Sequence, residues 1–182
     1  MNIYKLCFFL LLFCALSASV SAQITSTNAG EMSKLNFLVG QWRGEGWILM
    51  GRNERRTFRQ NETVQSKVDG TVLMIDGLGK GIKAGETAES VIHNAFAVIS
   101  YNKDAKTFRW QAFRGDGTSF DVQPTITDKT IVWGFTDARA GDIRFTIKIN
   151  EIGQWFEIGE LSRDTGKTWI KFFEMTLNKA AS

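Results

Sequence analysis

The chain has 182 residues, and its 22 Lys and Arg stand against 19 Asp and Glu for a formal net charge of +3. That balance is too close to neutral for a nucleic-acid-binding surface, and one histidine, with both cysteines inside the N-terminal segment that reads as a cleaved signal, cannot assemble a zinc site of several His or Cys ligands in the mature chain. Six tryptophans and fourteen phenylalanines instead supply apolar surface for one sizeable core.

Residues 1–22 predict a secretion signal. Lys5 supplies the cationic start, 6–16 form an apolar run, and Val20-Ser21-Ala22 places small residues where a signal peptidase cuts, so the mature chain begins at Gln23. The apolar run is shorter than the roughly 18 residues that a membrane helix needs, and its downstream flank is rich in Ser and Ala. No membrane span is predicted. A lipid anchor on Cys14 is disfavoured by the bulky Phe13 before it. Both Cys7 and Cys14 leave with the signal, so a secreted or periplasmic product has neither disulfide nor thiol and depends on its core. Its net charge falls to +2, because Lys5 is the one charge that the signal carries.

A polar lead at 23–30 is expected to be mobile, and 31–182 form one domain. Residues 31–38 have helical spacing, with Met32, Leu35, Phe37 and Leu38 on one side, which suits a short helix plugging one end of a barrel. From Gly40 the pattern changes to short alternating runs at 40–50, 55–68, 71–78, 95–101, 107–114, 119–123, 130–135, 143–149, 155–161 and 169–177. Turn residues separate most of them: Asp69-Gly70, Asn102-Lys103-Asp104, Gly115-Asp116-Gly117, Ile152-Gly153 and Asp164-Thr165-Gly166. Links this short pair neighbours antiparallel, since a parallel crossover needs a dozen residues or more. The prediction is an all-β, antiparallel up-and-down β-barrel of about ten strands with an N-terminal plug helix.

Period two is plainest where Ile143, Phe145, Ile147 and Ile149 alternate with Arg144, Thr146 and Lys148, and where Phe108, Trp110 and Ala112 alternate with Arg109 and Gln111. Pro124 falls at a strand end, where its missing N–H costs nothing. The long link 79–94, which contains His93, reads as a lid over the barrel mouth or as a solvated loop. Its Gly77-x-Gly79-x-Gly81 is no phosphate cradle, because no helix N-terminus follows. Runs 155–161 and 169–177 are apolar on both faces, which points to contact with the plug helix or to an outer patch suited to a homodimer.

The opening Gly40-x-Trp42 after a short helix resembles the first-strand signature of lipocalins and other calycins. The fuller Gly40-x-Trp42-x-Gly44-x-Gly46 resembles the opening of nitrobindin-like haem barrels. Across about 31–178 the chain is similar to an uncharacterised bacterial family of lipocalin-like barrels, through Glu62 with Asp69-Gly70, Tyr101-Asn102-x-Asp104, and Trp169-x-x-Phe172-x-Glu174. The resemblance implies a calycin barrel with Trp42 across its closed end. The nitrobindin likeness would imply haem held by a late-barrel histidine, but the closing strand has none, and His93 lies elsewhere, so no cofactor is predicted.

With a single His and no Cys in the mature chain, nucleophilic catalysis of the Ser–His type rests on His93 alone. No catalytic or metal residue is assigned. Asp121, Glu157, Glu160 and Glu174 fall on strands, where an inward pair could act as acid and base, or where they pair with Arg109, Arg144 and Lys171. The reading reached is an exported barrel that binds a small apolar or amphipathic molecule. Trp110, Trp133, Phe120 and Phe145 form its walls, and Arg109 or Gln111 its polar anchor. The alternatives are a small-molecule isomerase or hydrolase using inward carboxylates, and a filled structural or oligomeric barrel.

Overall fold

The computed structural model describes residues 27–51, 54–83 and 85–180. The predicted signal and the first part of the lead, 23–26, lie outside the described residues. Helix α1 (Thr27–Met32) runs directly into a 3-10 helix (Ser33–Leu38). Helical structure thus begins at Thr27, ahead of the predicted Glu31, and the last residues of the lead belong to it. The reason is anchorage: Met32, Leu35 and Leu38 are buried in the core, and α1 rests against strands β3 (Val72–Ile82) and β4 (Glu89–Asn102).

The remaining strands are β1 (Gly40–Met50), β2 (Glu54–Lys67), β5 (Thr107–Arg114), β6 (Ser119–Val122), β7 (Thr125–Thr127), β8 (Thr130–Asp137), β9 (Gly141–Ile149), β10 (Trp155–Ser162) and β11 (Ile170–Lys179). They form one antiparallel sheet in the order β6-β5-β4-β3-β2-β1-β11-β10-β9-β8-β7. Every step is a sequential hairpin except β1–β11, where the first long strand meets the last. This is the predicted up-and-down meander, with one strand more than the sequence pattern marks.

The extra strand is β7, and its cause is Pro124. The chain follows β5 along β6, passes Gln123 and Pro124, and then pairs with β8 instead. A residue without an N–H cannot continue the ladder on β5. Because β6 and β7 are not bonded to each other, the ladder stays open there and the sheet is a half-barrel rather than the closed barrel expected. Side chains bridge the opening. Phe120 of β6 stacks on Phe135 of β8 at 3.9 Å between centroids, and Trp110 of β5 stacks on Trp133 of β8 at 5.2 Å.

The predicted long link 79–94 is mostly strand. β3 continues to Ile82 and β4 begins at Glu89, with a bulge between Gly79 and Lys80, so His93 is a strand residue opposite Gly79 rather than a lid residue.

At the helix end the interior is dry. Leu35, Leu38, Trp42, Ile131, Trp155 and Leu177 are all fully buried, each large apolar side chain contributing roughly 1.5–3 kcal/mol. The Trp42 ring meets Trp155 edge-on at 5.8 Å, and its indole Nε1–H donates to the Leu38 carbonyl at 2.7 Å. Trp155 and Leu177 sit in the same buried cluster as the helical Leu35 and Leu38, which accounts for the inward apolar face of β10 and β11. Among the described residues no helix is long and apolar enough to cross a membrane.

Candidate ligand cavity

The polar part of the interior is built on β2. Its inward residues are Phe58, Gln60, Glu62 and Val64, all buried. A buried glutamate and glutamine need room beside them, and the neighbouring strands supply it. Register puts Gln60 between Gly44 of β1 and Gly79 of β3, and Glu62 opposite Gly77. A Cβ at Gly77 would lie 2.5 Å from Glu62 Oε1, and one at Gly79 would lie 2.4 Å from Gln60 Oε1. The glycine series that reads as a broken strand in the sequence is the space in which two polar side chains lie inward.

Beyond this row the sheet encloses a cavity of about 190 Å³. Its walls are mainly aromatic: Trp110, Phe120, Trp133, Phe135, Phe145, Phe172 and Phe173, with Ile75, Ile147 and Met175 between them. Trp133 is the centre of this wall, stacked on Trp110 and, at 4.6 Å, on Phe145. Four titratable side chains also line the cavity: Glu62, His93, Arg114 and Glu157.

Each polar group is set by its surroundings. Glu62 Oε1 accepts from Gln60 Nε2 at 2.7 Å, whereas Oε2 is buried without a partner. Burial pushes the Glu62 carboxyl up to about 7, with the nearby Asp76 charge adding to the rise. Glu157 accepts from Trp155 Nε1 at 3.1 Å. Burial pushes it up to about 8, and the charge of Glu62 pushes in the same direction. These two acids therefore share one low-dielectric space and hold their protons well above the ordinary carboxyl range, Glu157 more firmly than Glu62. Burial, with the Arg114 charge, brings His93 down to about 4, so its imidazole is neutral there. Arg114 is half exposed and paired with Asp116 at 3.3 Å. Two further polar atoms in the cavity wall are buried without a partner, the indole Nε1 of Trp110 and that of Trp133.

The four predicted wall residues, Trp110, Trp133, Phe120 and Phe145, come together around this cavity. The two predicted anchors do not. Arg109 and Gln111 alternate with Trp110 and Ala112 on β5 and so point to the other face, where Arg109 is exposed and ion-paired with Asp121. Arg144 pairs with Glu160 at 2.8 Å and Lys171 with Glu174 at 2.5 Å. Of the strand carboxylates picked out in the sequence, Glu157 is the one that lines the cavity. Glu62 and His93 were missed as cavity residues. The available signal for Glu62 was the run of glycines two strands' width around it, since inward polar residues and cross-strand glycines go together.

No protein-family model matches the chain, and no curated protein matches its sequence. Solved structures do match in shape. Rv2717c from M. tuberculosis superposes with a TM-score of 0.57 at 10% identity, over 86% of this chain and 99% of that one. The S-type phycobiliprotein lyase CPES from Guillardia theta superposes with a TM-score of 0.56 at 13% identity, over 84% and 93%. At these identities the likeness is one of fold, and what the cavity does has to be argued from its own residues.

Proposed function

We propose that this chain is an exported lipocalin-like barrel that binds one small amphipathic molecule in its aromatic cavity. The observation that carries the reading is the pair of unpartnered indole N–H groups, Trp110 and Trp133, in a wall that is mainly aromatic. Buried donors are normally paired, and an unpaired one costs about 1–3 kcal/mol. A ligand oxygen accepting from them would remove that cost. The fold supports the same use, since barrels of this size hold one small ligand. At about 190 Å³ the cavity is below the roughly 300–1,000 Å³ of drug-sized sites and somewhat larger than a cavity of about 150 Å³ that takes benzene. It suits a one-ring ligand and not a porphyrin, so the haem that the nitrobindin-like motif implies is not part of this reading.

Native mass spectrometry of protein purified from its own host tests the proposal. A retained small molecule, lost in a Trp110→Phe/Trp133→Phe double variant, is the expected result. A host-purified protein that retains nothing and whose tryptophan fluorescence answers to no one-ring probe would overturn it. Export is tested separately, by N-terminal sequencing of the extracytoplasmic fraction, with Gln23 the expected first residue.

A second reading is favoured by one observation, the two protonated carboxyls Glu62 and Glu157 in the same cavity. Such a pair suits proton transfer in a small-molecule isomerase or hydrolase. Turnover of a bound ligand that is abolished by Glu157→Gln, with binding retained, would favour it over simple carriage.

A further inference from the structure

Glu62 and Glu157 are two acids buried in one cavity, and nothing inside that cavity neutralises them. The residues lining it include two basic side chains. Arg114 lies at the rim, half exposed and already paired with Asp116, and His93 is uncharged near neutral pH. Hydrogen bonding is also incomplete, because Gln60 and Trp155 occupy one oxygen of each carboxyl while Glu62 Oε2 has no partner. Ionised together, the two acids would be costly to bury without an internal cation, and burial accordingly raises both. The aromatic walls around them attract cations through their ring faces. A second, independent feature points to a ligand: the unpartnered Nε1 of Trp110, a residue only 4% exposed that lines the same cavity.

We infer that the cavity selects a small one-ring organic amine, whose ammonium sits against Glu62 and Glu157 while an oxygen on the ring accepts from the indole N–H of Trp110 or Trp133. This rests on the ligand-binding reading above and gives it a substrate class. The ligand supplies the missing donor and charge to the acids and the missing acceptor to the indoles, so that each unpartnered cavity group gains its complement. An anion of the same size has no place there, since it meets two acids.

A dependence on pH follows. The charged and titratable groups facing the ammonium site are Glu62 from β2 and Glu157 from β10. His93 from β4 and Arg114 from β5 lie across the cavity, and Asp76 of β3 adds negative charge beside Glu62. Between pH 6 and 8 His93 stays neutral, while the two acids, raised to about 7 and about 8, lose protons. Binding an ammonium releases a proton from them, and affinity rises with pH over that window.

The test is isothermal titration of the purified protein with three matched phenols: tyramine, its alcohol tyrosol, and 4-hydroxyphenylacetate. At pH 8 tyramine should bind about tenfold or more tighter than tyrosol, as a charge-assisted hydrogen bond would give. The ratio should shrink at pH 6, and the acid should bind weakest. Glu62→Gln and Glu157→Gln should each remove most of the preference for tyramine over tyrosol, and circular dichroism with a urea titration of each variant shows that it folds. Tyrosol binding as tightly as tyramine, or a preference that survives in both variants, overturns the inference while leaving a ligand-binding barrel. Failure of all three phenols and of the uncharged probe N-phenyl-1-naphthylamine overturns the inference and the ligand-binding reading together.

Discussion

The two ends of this barrel use the same residue type in opposite ways. At the helix end Trp42 gives its indole N–H to the Leu38 carbonyl, and Trp155 gives its own to Glu157. Both side chains are fully buried, and both donors are spent within the fold. In the cavity, Trp110 and Trp133 are stacked on each other with both donors unspent. The first pair closes the core; the second leaves two buried donors without a partner in residues that line the cavity. Satisfied groups specify a structure, whereas unsatisfied ones in a preformed cavity point to something the fold does not contain.

The sharpest way to break this contrast is to remove one tryptophan from each end. Trp42→Ala should cost about 3–5 kcal/mol, the usual loss for a large aromatic in a core that cannot collapse, and should lower the urea midpoint far enough to threaten folding. Trp110→Phe removes an unpaired donor along with some packing, so those terms offset each other and stability should change by about 1 kcal/mol or less. If Trp110→Phe were as damaging as Trp42→Ala, the cavity wall would be core like any other.

The next contrast is electrostatic. Glu62 and Glu157 have folded-state values raised above the ordinary 4.5, to about 7 and about 8. The folded chain therefore holds protons that the unfolded chain has lost, and stability falls as pH rises from about 4.5 to about 8. His93 acts the other way. Its value drops from 6.5 to about 4, so it adds stability with rising pH only across that lower window. Above about pH 6.5 the acids act alone. Thermal melts should show Tm decreasing from pH 6.5 to 8, and Glu157→Gln should raise Tm at pH 8 while changing little at pH 5. A gain of about 1–3 kcal/mol is expected, each kcal/mol being roughly 2–4 °C in a domain of this size. A flat profile in the parent protein would mean that water reaches both acids.

Much of this arrangement is legible in the sequence, and the illegible part has a physical pattern. Alternation such as Ile143, Phe145, Ile147 marks both strand and face, and a stripe of this kind places Phe145 on the cavity wall. The surface pair of Arg144 with Glu160 is legible as well, since the two lie directly across the β9–β10 ladder, whereas Arg109 reaches Asp121 on a diagonal and Lys171 pairs along its own strand. Strand β2 defeats the method. Its outward face, Arg55, Thr57, Arg59, Asn61, is wholly polar and its inward face, Phe58, Gln60, Glu62, Val64, is half polar, so the alternation is weak and gives no sign that Gln60 and Glu62 are buried. His93 was misplaced for a related reason: Gly77 and Gly79 read as breakers when they are empty positions beside the large polar side chains of Glu62 and Gln60. Pro124 was placed at a strand end correctly, but its effect on closure depends on which neighbour each half joins, and that is a tertiary choice.

Gly77→Ala tests the glycine argument. The added Cβ lies 2.5 Å from Glu62 Oε1, and that carboxyl is confined by Gln60, so it has to rotate into the cavity. A loss of about 1–3 kcal/mol is expected, as for other overpacked interiors, together with a change in tryptophan fluorescence from the cavity wall. An Ala variant with parent stability and spectrum would show that Glu62 has freedom to move aside.

The smallest effect belongs to the outer face. Arg109 was an attractive polar anchor because it flanks Trp110, and the structure gives it to Asp121 on exposed strand surface. Ion pairs of that kind are worth about 0.2–1 kcal/mol and are screened by salt. Arg109→Ala should therefore lower stability by no more than that, with the difference fading as ionic strength rises. Ligand affinity should stay unchanged, because alternation along β5 keeps residue 109 one sheet thickness away from the indole that faces the cavity. A marked loss of binding in Arg109→Ala would mean that the ligand reaches the outer face, and that the contrast between the two ends of the interior is not where recognition happens.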